Sequence, residues 1–188
     1  MNEFKKIYEK DNLLFGESKI IKTKKERNKI LSFIRAVDNN KKDIKEMHPV
    51  LIYRATDDGD SANDFHRKCD GMGATLIIVE SENGRRFGGY TSDSWDKNKN
   101  SYSTSGYNFL FSLDTGKYYT NSSGYYTFHH SSYGPAFGQS ANQDLCIASG
   151  CLNNNNSYNN KCYYNMNNSY DLSLSQTFKV KDYEVFQI

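Results

Sequence analysis

Residues 76–95 read LIIVESENGRRFGGYTSDSW, and this stretch decides the fold. Leu76, Ile77, Ile78 and Val79 form a short, continuous apolar run rich in β-branched residues, as expected for a strand covered on both faces. Asn83-Gly84 is the strongest two-residue signal for a tight hairpin turn. Arg86–Tyr90 then predicts the return strand. Gly88 and Gly89, side by side within it, predict a bulge or a close approach of backbone. Ser92, Ser94 and the single tryptophan, Trp95, follow at its end. No nucleophile stands here beside a base, so the hairpin predicts an architecture and not a reaction.

Upstream of the hairpin the sequence predicts two helices and a strand. Thr23-Lys24-Lys25-Glu26 has the capping-box spacing, in which the threonine and glutamate side chains satisfy orphan amides at a helix start. Ile30, Leu31, Ile34 and Val37 recur at helical spacing and give one buried stripe on a basic helix, which ends at Asp38–Lys42. Residues 1–17 read as a short polar arm. Val50–Arg54 predicts a strand and Asp57-Asp58-Gly59 a turn. Asp60 or Ser61 can cap a second helix, whose Ala62, Phe65, Cys69 and Met72 share one face.

Downstream, Asn108–Leu113, Lys117–Thr120, Tyr125–His129, Asp144–Ala148, Lys161–Met166 and Phe178–Ile188 read as strands. Residues 96–106 read as a polar loop, and asparagine-rich Asn153–Asn160 as a loose one. The pattern predicts a mainly β fold with some helix: an antiparallel two-sheet β-sandwich flanked by two helices.

Composition narrows the function classes. A chain of 188 residues suits one domain with its own core. Its 15 tyrosines and 11 phenylalanines must supply much of that core. A net charge of +2 makes no electrostatic case for nucleic acid. Residues 1–48 carry 13 Lys/Arg against 8 Asp/Glu, leaving the remainder at −3, which suits a solvated basic helix face. No apolar run approaches the ~18 residues of a membrane span. The N-terminal residues contain no apolar signal region and include acids, which predicts a cytoplasmic protein with unglycosylated sequons at Asn121, Asn155 and Asn167. Cys69, Cys146, Cys151 and Cys162 form no CxxC pair and are expected as free thiols.

Candidate chemistry is thin. Gly71-x-Gly73 is not a dinucleotide fingerprint and no phosphate-binding P-loop occurs. His129 and His130 are adjacent in a strand, where neighbouring side chains point to opposite faces, so they are not expected to chelate one metal. Asp57, Asp58, His66 and Cys69 are the one grouping with catalytic residue types. His66 and Cys69, three apart on a helix, could meet, but Cys69 lies on the apolar stripe and reads as a core thiol. No catalytic residue, metal site or cofactor is expected.

In the order and spacing of its segments the chain resembles the TLDc family (the TBC/LysM-associated domain). The segments are Ser18–Ile21, LIYRATDDGDSANDFHRKCDGMGATLIIV, FGGYTSDSW, NFLFSL, Gly134–Gly138 (GPAFG), Asp144–Ile147 (DLCI) and the closing VKDYEVFQI, covering residues 18–188. The resemblance implies a two-sheet sandwich with a few helices. It also implies protection against oxidative damage, binding to cytosolic subunits of the vacuolar proton-pumping ATPase, and no established active site. Gly88, Gly89, Gly134, Gly138 and Asp144 match the family pattern and are expected to serve the fold or a partner surface. Ser92 and Trp95 are expected on the same rim, with Trp95 either a partner anchor or a core cap. The competing readings are a cysteine-dependent antioxidant or hydrolase-type enzyme and a lectin-like binder, the last suggested only by Tyr, Trp and Asn richness.

Overall fold

The computed structural model describes residues 14–41, 47–139, 142–168 and 170–188. Among the described residues there are three helices: α1 (Lys24–Val37), α2 (Ala55–Asp58) and α3 (Ala62–Cys69). The strands through the central hairpin are β1 (Val50–Arg54), β2 (Thr75–Ser81) and β3 (Arg86–Thr91). Then come β4 (Ser101–Tyr102), β5 (Asn108–Ser112), β6 (Lys117–Thr120), β7 (Phe128–His129) and β8 (Tyr133–Phe137). The last four are β9 (Leu145–Ala148), β10 (Ser157–Asn159), β11 (Thr177–Phe178) and β12 (Val180–Gln187). One sheet has the order β1-β12-β2-β3-β5-β6, a second β11-β10-β9-β8, and β4 pairs with β7; all these ladders are antiparallel.

The apolar run of β2 is explained by a three-layer arrangement. Leu76 and Ile78 pack with Ile30, Leu31, Phe33 and Ile34 of α1 and with Phe109, Phe111 and Phe186. Ile77 and Val79, of opposite parity, pack with Phe137, Leu145 and Ile147 of the second sheet and with Phe65 and Cys69 of α3. A strand between a helix layer and a sheet layer has no solvent face, so alternation disappears.

Local signals place the helices. Thr23 and Glu26 form the reciprocal capping box of α1. Glu26 also accepts from Arg86 at 2.7 Å, tying the helix start to β3. At the other end Tyr90 donates to Asp38 at 2.5 Å. Ser61 and Asp64 form a second capping box that starts α3. Among the described residues, no helix is long and apolar enough to cross a membrane.

The structure corrects several expectations. Asp57 and Asp58, read as part of a turn, lie within the one-turn helix α2, with Asp58 accepting the Arg54 amide at 2.9 Å and Gly59 ending the helix at φ 103°. Lys161–Met166 is not a strand; within it only Tyr164 makes a bridge, to Asn121. The strand lies instead at Ser157–Asn159, inside the asparagine-rich stretch read as loose. Two of its polar side chains are buried: Asn159 Nδ2 donates to Ser173, Ser175 and Gln176 at 2.6–3.2 Å, and Ser157 accepts the Ala148 amide, while Asn159 Oδ1 has no hydrogen-bond partner among the described residues. Tyr133–Phe137 is a strand despite Pro135, because it lies at the edge of its sheet with a register shift between Tyr133 and Ala136. Of Tyr125–His129 only the last two residues are strand, and Ser101–Tyr102 pairs with them within the expected polar loop. Residues 1–13 of the expected arm lie outside the described residues. Phe15, at its end, is buried edge-on against Phe186 at 5.0 Å.

Candidate functional site

The residues expected at a partner rim come together, but within the sandwich. Gly88 and Gly89 are buried in β3 opposite Ile78 and Ile77. A Cβ at Gly88 would stand 1.9 Å from the Ile77 carbonyl oxygen, and one at Gly89 would stand 2.5 Å from the Phe137 ring. Phe137 fills the space over Gly89 and meets Trp95 edge-on at 5.8 Å. Trp95 is 1% exposed. Its indole N–H donates to Thr75 Oγ1 at 2.9 Å, and its ring lies 5.5 Å from Phe65 and 5.6 Å from His129.

Gly138, at φ 105°, leaves room for the Tyr163 ring; Gly134 is buried beside the Ile147 carbonyl and the Tyr183 hydroxyl. Asp144 is fully buried and accepts the amides of Cys162, Tyr163 and Tyr164 at 2.5–2.7 Å, which fixes the loop after β10. Burial pushes its pKa up to about 6 against the pull of those three donors. Ser92 is half-buried, and its hydroxyl accepts the Tyr107 amide at 2.8 Å. The partner-surface expectation is therefore corrected for Gly88, Gly89, Trp95, Gly134, Gly138 and Asp144. All six are buried in the fold and offer no surface.

Next to Trp95 lies the grouping with catalytic residue types. His66 is buried, with Nδ1 2.7 Å from Asp70 and Nε2 3.0 Å from the carbonyl oxygens of both His130 and Tyr133. Asp70 also accepts the Lys97 amide at 3.1 Å. These bonds turn the imidazole toward Asp70 and backbone carbonyls, so His66 serves as a brace between α3 and the β7–β8 turn. Asp57 and Asp58 are likewise engaged, Asp57 with Lys19 and Arg54 and Asp58 with Lys68. Among the described residues no three His, Cys, Asp or Glu side chains gather in a metal-binding group.

The profile of the TLDc domain matches residues 14–188. The chain belongs to the TLDc domain family. No match was found among curated proteins.

In this TLDc domain three of the four thiols are sealed. Burial pushes Cys146 and Cys151 up to about 12 and raises Cys69 further. A thiolate is the reactive form, so these three are unreactive near neutrality. Cys162 is exposed. Sequence reading missed a second buried cluster, at Glu184 of β12. The Glu184 carboxylate accepts from Arg54 Nε at 3.0 Å, Ser18 Oγ at 2.5 Å and the Lys19 amide at 2.7 Å, holding the segment before α1 on the sheet. Only a charge placed among the apolar residues of the closing strand could have signalled it.

His129 is expected to contribute acid sensitivity to the TLDc domain. Its Nδ1 accepts the Asp96 amide at 3.2 Å and its Nε2 faces Thr127, an arrangement that suits the neutral ring. Burial, aided by Lys99, lowers its pKa from 6.5 to about 4. A depressed folded-state pKa means that the unfolded chain binds the proton first. The stability contributed by the neutral ring is therefore present above pH ~6.5 and is lost as pH falls toward 4, an effect of about 3 kcal/mol. Urea titrations between pH 7 and 4 should show His129→Asn losing less stability than the parent across this window; parallel curves would refute it.

Proposed function

We propose that this TLDc domain is a non-enzymatic interaction module of the cytoplasm. In this reading it binds cytosolic subunits of the vacuolar proton-pumping ATPase and supports resistance to oxidative stress. The carrying observation is the family match over residues 14–188, in an oxidation-resistance-type domain family. The chemistry of the interior supports it, because His66 is bonded at both ring nitrogens and three thiols are sealed. The test is equilibrium binding of the intact protein to the purified cytosolic sector of the pump. Saturable binding is expected, and its absence overturns the pump as partner.

The exposed Cys162 keeps the cysteine-dependent antioxidant as a second reading. Replacing all four cysteines by alanine or serine, in a variant whose circular dichroism is unchanged, should leave cellular protection against peroxide intact. If protection disappeared while pump binding persisted, the thiol reading would take its place.

A further inference from the structure

A groove runs along one flank of α1. Its first part, about 430 Å³, lies between Lys25 and Lys29 and the β5–β6 turn at Leu113–Gly116. The second, about 390 Å³, continues to Phe33, Lys117 and Tyr118. Lys29 and Gly116 line both parts, so the two are continuous.

Its charge is unbalanced. Lys25, Lys29 and Lys117 are exposed, and among the described residues none of them takes part in a salt bridge. The acids at the same place are already engaged: Glu26 pairs with Arg86 at 2.7 Å and Asp114 with Arg85 at 3.4 Å. Lys25 and Lys29, four apart on the helix, repel each other, a small cost to α1. The far end is aromatic. Tyr118 is 39% exposed and its ring lies 5.0 Å from Phe33, over which Lys29 Nζ sits at 5.3 Å. Tyr118 also belongs to β6, an edge strand of the six-stranded sheet.

We infer that this groove docks an extended acidic segment of a partner protein, its carboxylates on Lys25, Lys29 and Lys117 and one apolar side chain on the Tyr118–Phe33 ledge. Charge complementarity selects the acidic partner, and a concave groove beside a strand edge selects an extended chain. A membrane surface fits less well, because insertion requires several projecting apolar side chains and among the described residues Tyr118 is the one exposed large apolar residue lining the groove. A nucleic acid fits less well, because the chain after residue 48 carries −3 and would repel a phosphate backbone beyond the groove. The inference deepens the interaction-module reading and rests on it.

The test is an NMR titration of the isotope-labelled protein with a synthetic peptide about ten residues long, made of Glu and Asp with one Phe and one Leu. Expected are shifts confined to the exposed face of α1 and to residues 115–119, and binding that weakens with added salt. The triple reversal Lys25→Glu, Lys29→Glu, Lys117→Glu should weaken it about tenfold or more, as three exposed charge contacts sum to that order. Tyr118→Ala should weaken binding by an amount that persists at high salt, where charges are screened. Circular dichroism confirms that the variants fold. Absence of shifts, binding unchanged by charge reversal, or a groove that takes phosphatidylserine vesicles or duplex DNA in preference to the peptide would each overturn the proposal. Peptide binding that persists in a protein unable to bind the pump would support the groove and remove only the pump as its occupant.

Discussion

Replacing Gly88 by alanine is expected to cost about 3 kcal/mol or more of folding stability, at or beyond the top of the usual range for overpacking a core. The added methyl would stand 1.9 Å from the Ile77 carbonyl oxygen and 3.0 Å from the Phe111 ring. The first obstacle is backbone in the adjacent central strand, which has Leu76 and Ile78 packed on one side and Ile77 and Val79 on the other, so it cannot yield. Gly89→Ala offers an internal comparison. There the obstacle is the Phe137 ring, a side chain, and Phe137→Leu should recover part of the loss. No second substitution at Phe111 should rescue Gly88→Ala to the same extent. Urea denaturation of the two single and two double variants decides the matter. A cost below ~1 kcal/mol at position 88 would mean that the strands are not this close.

Trp95→Ala should remove about 3–5 kcal/mol, the usual cost of truncating a buried tryptophan. The loss has three sources: the ring's packing against Phe65 and Phe137, its contact with His129, and an indole hydrogen bond whose absence leaves Thr75 Oγ1 buried without that donor. Trp95→Phe keeps much of the volume and loses the hydrogen bond, so it should cost less. Partner affinity, measured at a temperature where the variant is folded, should be unchanged. A variant of unaltered melting temperature with lost affinity would restore Trp95 as an interface anchor.

The sequence determined the elements whose causes are local. Thr23 with Glu26 and Ser61 with Asp64 lie three residues apart, so both helix starts were readable or nearly so in a window of four residues. The apolar run of β2 announced burial on both faces, and Asn83-Gly84 announced the turn that pairs it with β3. The family resemblance added the sandwich and was upheld over residues 14–188. Gly88 also signalled the close approach of backbone, here the Ile77 carbonyl, whereas at Gly89 the group that comes close is the Phe137 ring.

The tertiary structure decided what comes close. Side chains separated by long stretches of chain settle the fate of polar and small residues, and no local propensity encodes them. Phe137 fills the space over Gly89, so these positions serve the interior and not a rim. Asn159 is held in the strand because Ser173, Ser175 and Gln176 accept from its side-chain N–H groups; without them an asparagine-rich run reads as loop. Asp144 can be buried because three amides some 20 residues onward converge on it. Glu184 can be buried because Arg54, 130 residues earlier, reaches it. Burying a polar group is costly unless a partner meets it. Whether a partner does so is set by the meeting of distant segments, and the order of residues along the chain does not show it.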